Sequence, residues 1–250
     1  MSCYIIILVL TICCDAFAGG ASFEELVNGA NEKYGEIETL SANIVKVTRI
    51  DGKEYNEEWN YYFKNPDMMK IEYLKPHERS LVLNKDSLIE YIPEAKKAKY
   101  ADLSVLEEGD REEFISTAFS RVIIFGLRLG EVMKGDAKIS EVELDGRKAY
   151  LIDSDKPDYQ IWIDVETKAL LKQASYDEKG ALTYYTKGED FKMFDGRFLL
   201  PKRISAVLSD NEKETVILNY DMVLYKLKVN EDIPDDVFKL QLPDYVDIVK

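Results

Sequence analysis

The chain has 250 residues, of which 46% are hydrophobic and 32% charged, a composition typical of a globular protein and not of a disordered one. Its formal net charge of −14 makes nucleic acids and anionic membrane surfaces unfavourable partners. The three cysteines are Cys3, Cys13 and Cys14. Because all of them precede the predicted mature chain, we expect no disulfide or thiol chemistry there.

The N-terminus reads as a secretion signal. An apolar run from Tyr4 to Cys14 precedes Ala16-Phe17-Ala18, a small-x-small cleavage site. We predict a signal peptide over 1–18 and a single domain over 19–250, which places the protein in the periplasm or another extracytoplasmic compartment. No Lys or Arg precedes the apolar run, so an uncleaved membrane-associated anchor and a misplaced start codon stay open, as does weakly supported lipidation of Cys13 or Cys14.

The domain is predicted to be mainly β. Ser22 and Glu25 form an S-x-x-E capping box, which predicts a helix over 22–35. Apolar residues then alternate with period two, and Asp-Gly pairs mark hairpin turns. Strands are predicted at 40–50, 53–63, 69–74, 80–84, 88–92, 138–143, 148–153, 159–164, 169–176, 181–193, 198–208 and 214–226. Apolar residues on both parities of later strands indicate that both sheet faces are at least partly covered.

One hairpin, WNYYFKNPDMMKIEYLKP at 59–76, is specified closely by its alternation. A five-residue loop from Lys64 to Met68 contains Asn-Pro-Asp, whose residues favour a turn. This loop sets three cross-strand pairs on one face: Phe63 with Met69, Tyr61 with Ile71, and Trp59 with Tyr73. The hairpin therefore presents an aromatic patch to one side of the sheet.

Catalytic and metal-binding signals are weak. His77 is the only histidine, and the Lys-Pro-His-Glu-Arg context predicts a surface loop. Asp164 follows a strand and is interpreted as a turn-capping carboxylate. No nucleophile elbow, phosphate-binding loop, zinc motif or calcium loop occurs. We predict no catalytic residue, no metal and no cofactor, although a glycosidase with two carboxylates distant in sequence stays open.

One interval does not follow the strand period. Between Asp110 and Met133 the apolar residues recur at helical spacing over most of the circumference, and Gly126 and Gly130 are expected to divide the segment into two pieces. We predict that this segment covers the sheet as a lid through Phe114, Ile115, Ala118, Phe119 and Val122.

The order of these features resembles the LolA-like family of outer membrane lipoprotein-sorting proteins and lipoprotein carriers. The resemblance is carried by the opening helix, by 62–73 (YFKNPDMMKIEY), by the strands 81–85 and 89–93, by Ile161-Trp162-Ile163-Asp164, by 194–201 (FDGRFLLP) and by the C-terminal segment 229–238 (VNEDIPDDVF). Each piece is a weak motif, and the resemblance depends on their order over nearly all of the mature chain.

The resemblance implies an α+β fold, mainly β, with an unclosed antiparallel half-barrel sheet and helices over its concave face. It also implies a non-catalytic, monomeric binding protein that holds a lipid or lipoprotein acyl chain, with a membrane-bound release or acceptor protein as a further partner. The alternative within the fold is an RseB-like envelope sensor that contacts a protein. Parity gives these cavity-lining candidates: Val45, Val47, Trp59, Tyr61, Phe63, Met69, Ile71, Tyr73, Leu81, Leu83, Ile89 and Tyr91.

One position departs from the family pattern. Carriers of this kind commonly have Arg before the hairpin proline, where it latches the helical lid, and here the residue is Asn65. Arg49 and Arg79 lie nearby in sequence, but alternation alone does not show which face of the sheet is concave.

Overall fold

The computed structural model describes residues 22–111, 137–155, 158–210 and 215–249. Helix α1 spans Phe23–Gly35 and begins with the predicted capping box, in which Ser22 and Glu25 each accept a backbone N–H of the other. A short 3₁₀ helix, η1, spans Asp235–Phe238. In the described ranges, no helix is long and apolar enough to cross a membrane.

Sixteen strands make up most of the described residues. They are β1 Thr39–Ile50, β2 Lys53–Lys64, β3 Met68–Lys75, β4 Arg79–Asn84, β5 Ser87–Ile92, β6 Lys97–Asp102, β7 Ala137–Leu144, β8 Arg147–Asp155, β9 Asp158–Asp164, β10 Leu170–Tyr176, β11 Leu182–Glu189, β12 Lys192–Phe194, β13 Phe198–Leu200, β14 Arg203–Asp210, β15 Thr215–Val229 and β16 Asp247–Val249.

Fourteen of the strands form one curled, unclosed sheet in the order β16-β6-β5-β4-β3-β2-β1-β15-β14-β11-β10-β9-β8-β7. All neighbours pair antiparallel except β16 and β6, which pair parallel. Strands β12 and β13 form a separate hairpin. The mainly β fold with an unclosed sheet is therefore confirmed.

The strand predictions are correct in type, and most ends agree to within one or two residues. Two predicted strands are each divided in the structure: 181–193 becomes β11 and β12, and 198–208 becomes β13 and β14. The first break falls between Glu189 and Lys192, where Asp190 adopts a left-handed φ of 52°, and the second falls at Pro201, which has no N–H to donate to a strand ladder. The predicted turn at Asp195 and Gly196, with φ values of 52° and 62°, joins β12 to β13.

Helix α1 packs on one face of the sheet, which we call the helix face. Its Leu26 and Val27 lie in a buried cluster with Ile152, Ile161 and Ile163 of β8 and β9. At the other end of the helix, the Tyr34 hydroxyl donates a hydrogen bond of 3.1 Å to the Leu199 carbonyl. The helix is thus fixed both to the main sheet and to the β12–β13 hairpin.

The opposite face is covered differently. Lys64, which points to that face at the end of β2, donates a 3.2 Å hydrogen bond to the Ile233 carbonyl and pairs with Asp235. Helix η1 follows directly and contacts β3 and β4, where Phe238 and Val82 are both buried. The C-terminal segment therefore covers the opposite face of the first strands, which agrees with the expectation that both faces are partly covered.

Candidate functional site

The β2–β3 hairpin has the predicted register. Phe63 pairs with Met69, Tyr61 with Ile71, and Trp59 with Tyr73. The next strand extends the same face, because Leu83 lies opposite Met69 and Leu81 opposite Ile71. Directly opposed residues on neighbouring strands point to one side of a sheet.

The helix face is the side to which these residues point. Strand pairing connects the α1 cluster to the hairpin through Ile161, Gln173, Thr186, Ala206, Tyr220 and Thr48, each directly opposite the next. On β1, Ile44 shares the parity of Thr48 and lies opposite Trp59. The apolar residues of the hairpin therefore lie on the same face of the sheet as α1.

Eight of the twelve cavity-lining candidates share the helix face. We call them the apolar wall: Trp59, Tyr61, Phe63, Met69, Ile71, Tyr73, Leu81 and Leu83. The remaining four, Val45, Val47, Ile89 and Tyr91, point to the opposite face, so assigning them to the same wall is wrong. Their strands carry apolar residues on both parities because both faces are covered, and alternation alone selects the wrong parity in β1 and β5.

The apolar wall is largely removed from water. Tyr61, Met69, Ile71 and Leu83 are each at most 3% exposed, and burial raises the pKa of Tyr61 above its ordinary value. The predicted lid residues 114–122 lie outside the described residues, so their role stays a prediction.

A row of aromatic and charged side chains ends the apolar wall at the β3–β4 turn. The Trp59 and Tyr73 rings lie 5.9 Å apart between centroids, and the Arg79 guanidinium carbon lies 3.8 Å from the Tyr73 ring centroid. Arg79 is directly opposite Tyr73, which places all three on the helix face. The indole Nε1 of Trp59 is buried and has no hydrogen-bond partner among the described residues. Sequence reasoning noted Arg79 near the hairpin but did not predict that it stacks on Tyr73.

A polar row crosses the helix face between the apolar wall and α1. The Tyr159 hydroxyl donates a 2.7 Å hydrogen bond to Gln173 Oε1, and the Gln173 amide approaches the Tyr184 hydroxyl at 3.5 Å. Tyr220 follows on β15, and burial raises its pKa to about 12. These phenols stay protonated at neutral pH and are hydrogen-bonding groups that sequence reasoning did not identify as a row.

A separate cavity of about 350 Å³ opens near the β7–β8 turn. Lys187 lines it and forms a 2.8 Å ion pair with Asp145, while the Arg147 guanidinium lies 5.7 Å from the Phe191 ring centroid. Lys187, Arg147 and Leu144 point to the opposite face, so this cavity is not part of the apolar wall.

The residues considered for catalysis have structural explanations. Asp164 Oδ1 accepts hydrogen bonds from the Thr167 backbone N–H at 2.7 Å and hydroxyl at 2.8 Å, which confirms the turn-capping interpretation. His77 is 75% exposed in its side chain and lies 3.5 Å from Glu94, in agreement with a surface position. Among the described residues, no group of three or more His, Cys, Asp or Glu side chains could hold a metal ion.

The fold is LolA-like. Solved structures similar to this chain include a DUF1329 family protein from Desulfovibrio piger, a LolA superfamily protein from Nitrosomonas europaea, and a putative outer membrane lipoprotein-sorting protein domain from Vibrio parahaemolyticus. Their TM-scores are 0.54, 0.51 and 0.51, with 13%, 13% and 12% sequence identity. The alignments cover 86%, 88% and 85% of this chain and 94%, 99% and 95% of the respective structures.

Sequence comparison adds one relative. An uncharacterized protein of Methanocaldococcus jannaschii is 22% identical over 245 residues, which are 96% of this chain. The match covers 58% of that relative, so this chain spans little more than half of the curated protein it resembles. No protein-family model matches the chain.

Proposed function

We propose that this protein is an exported, non-catalytic binding protein that holds the acyl chain of a lipid or lipoprotein against the apolar wall. The observation that supports the proposal is the continuity of the wall: eight apolar side chains from three adjacent strands lie on the face that α1 covers. Burying methylene groups on such a surface stabilises binding by about 0.8 kcal/mol for each CH₂ removed from water.

The wall also suits a chain-shaped ligand. Trp59, Tyr61 and Phe63 follow one another along β2, and each has an aromatic or aliphatic partner on β3. Alternate residues of a strand are about 6.8 Å apart, so the three pairs form an extended apolar track and not a compact pocket. An extended hydrocarbon matches that shape better than a globular ligand does.

Uptake of acyl chains by purified mature protein tests the proposal. The protein is delipidated, the extract is analysed by mass spectrometry, and the stripped protein is titrated with a fluorescent C16 fatty acid analogue. We expect acyl lipids in the extract and saturable 1:1 uptake. Failure to take up any acyl probe would overturn the carrier proposal and leave the protein-contacting sensor as the better reading of this fold.

A further inference from the structure

We propose that Arg79, stacked on Tyr73 at the end of the apolar wall, binds the anionic head group of the acyl ligand. This inference rests on the proposed function and adds the chemical class and orientation of the ligand. The anion is a carboxylate or a phosphate, since both accept hydrogen bonds from a guanidinium in the same paired geometry.

The position of Arg79 supports this role. Arg79 is directly opposite Tyr73, which is directly opposite Trp59, so the three side chains form one row across β4, β3 and β2. The next rows along these strands are entirely apolar, beginning with Leu81, Ile71 and Tyr61. A ligand whose head group is at Arg79 would therefore place its hydrocarbon directly on the apolar wall.

Arg79 shares its carboxylate partner with a second cation. The Arg79 guanidinium lies 3.6 Å from Glu90, and the same carboxylate lies 3.3 Å from the Lys99 ammonium. Two cations thus share one carboxylate, in a protein whose formal net charge is −14. The Arg79 side chain is 43% exposed, so it is accessible to a ligand that enters from solvent.

Trp59 supplies a second observation. Trp59 is 7% exposed, yet its indole N–H has no hydrogen-bond partner in the part of the chain that the structure describes. A buried donor without a partner is costly, and a ligand oxygen that accepts from it would remove that cost. The Trp59 ring lies 5.9 Å from the Tyr73 ring on which Arg79 stacks, so the unpaired donor lies in the same row as the guanidinium, at the same end of the wall.

Binding of matched ligands to matched variants tests the inference. The ligands share a C16 chain and differ in head group: palmitate, palmitoyl lysophosphatidate and neutral monopalmitoylglycerol. Arg79→Gln is compared with Arg49→Gln, because Arg49 is also 43% exposed and ion-paired but points to the opposite face. Thermal unfolding of each variant shows that its fold is retained.

We expect Arg79→Gln to lower the affinity for at least one of the two anionic ligands by about tenfold or more, and to change the affinity for monopalmitoylglycerol by less than about twofold. Arg49→Gln should change the affinity for each of the three ligands by less than about twofold. The anionic ligand that loses more affinity identifies carboxylate or phosphate as the natural head group. Equal loss for the neutral and anionic ligands, or no loss at all, would overturn the inference while leaving acyl binding intact. Absence of binding to all three ligands would instead contradict the proposed function.

Discussion

The side-chain amide of Asn65, in the β2–β3 loop, donates a 3.1 Å hydrogen bond to the carbonyl of Gly35, the last residue of α1. The Asn65 backbone N–H also donates, at 2.7 Å, to the Glu38 carbonyl just beyond the helix. Carbonyls at the end of a helix lack partners within the helix. Asn65 therefore joins the hairpin that carries the apolar wall to the helix that lies on the same face.

Replacing Asn65 with Asp should weaken this link. The carboxylate has the same shape, but it cannot donate a hydrogen bond, and its charge lies at the negative end of the helix dipole. We expect a loss of about 1–2 kcal/mol in the free energy of unfolding, measured by urea denaturation.

Asn31→Asp is the matched control, because it makes the same change at an exposed position of α1. It should lower the free energy of unfolding by less than about 0.5 kcal/mol, as most surface substitutions do. Equal losses in the two variants would show that added charge, and not the Gly35 contact, explains the Asn65 effect.

Truncating a side chain on the apolar wall should lower ligand affinity, whereas truncating one on the opposite face should not. Leu81→Ala removes a half-buried wall side chain, and we expect it to weaken acyl-probe binding by about 1–2 kcal/mol, which is roughly tenfold. Ile89→Ala makes a comparable truncation on β5, but Ile89 points to the opposite face. Its probe affinity should stay within about twofold of the unmodified protein in the same fluorescence titration. If Ile89→Ala is the more damaging variant, the ligand lies on the other side of the sheet.

Gly188 is predicted to tolerate no side chain. A Cβ at this position would lie 2.5 Å from Phe191 Cζ and 3.1 Å from Pro201 Cβ. We expect Gly188→Ala to destabilise the protein by about 1–3 kcal/mol through overpacking, measured by thermal and urea unfolding. Gly29→Ala in α1 is the control, because its Cβ would meet nothing within 4 Å and alanine favours helix, so stability should rise slightly. A neutral Gly188→Ala would show that Phe191 moves aside at little cost.

Sequence predicted the parts of the site that depend on local pattern. The register of the β2–β3 hairpin followed from alternation and a turn of known length, and the structure confirms it pair by pair. The face of β1 and β5 did not follow, because Val45 and Ile89 are apolar on strands that are covered on both sides. Nor could sequence show that Arg79 stacks on Tyr73, since that contact depends on the pairing of β4 with β3, which no residue of Arg79's own strand specifies.

The buried tyrosines predict a loss of stability at alkaline pH. Burial raises the pKa of Tyr220 to about 12 and also raises the pKa of Tyr34, Tyr61 and Tyr159 above the ordinary value of 10.0. A phenol whose pKa is higher in the folded state contributes its full stabilisation below pH 10, and this is lost as pH rises because the unfolded chain ionises first. We expect the tyrosine contribution to the free energy of unfolding to be constant up to about pH 9 and to fall steeply from pH 10 to 12.

Urea denaturation at each pH measures this fall. Tyr220→Phe should make the fall shallower, whereas Tyr225→Phe, at an exposed position, should leave its slope unchanged. Tyrosine ionisation followed by ultraviolet absorbance should accompany unfolding; complete ionisation near pH 10 in the folded protein would contradict the burial of these phenols.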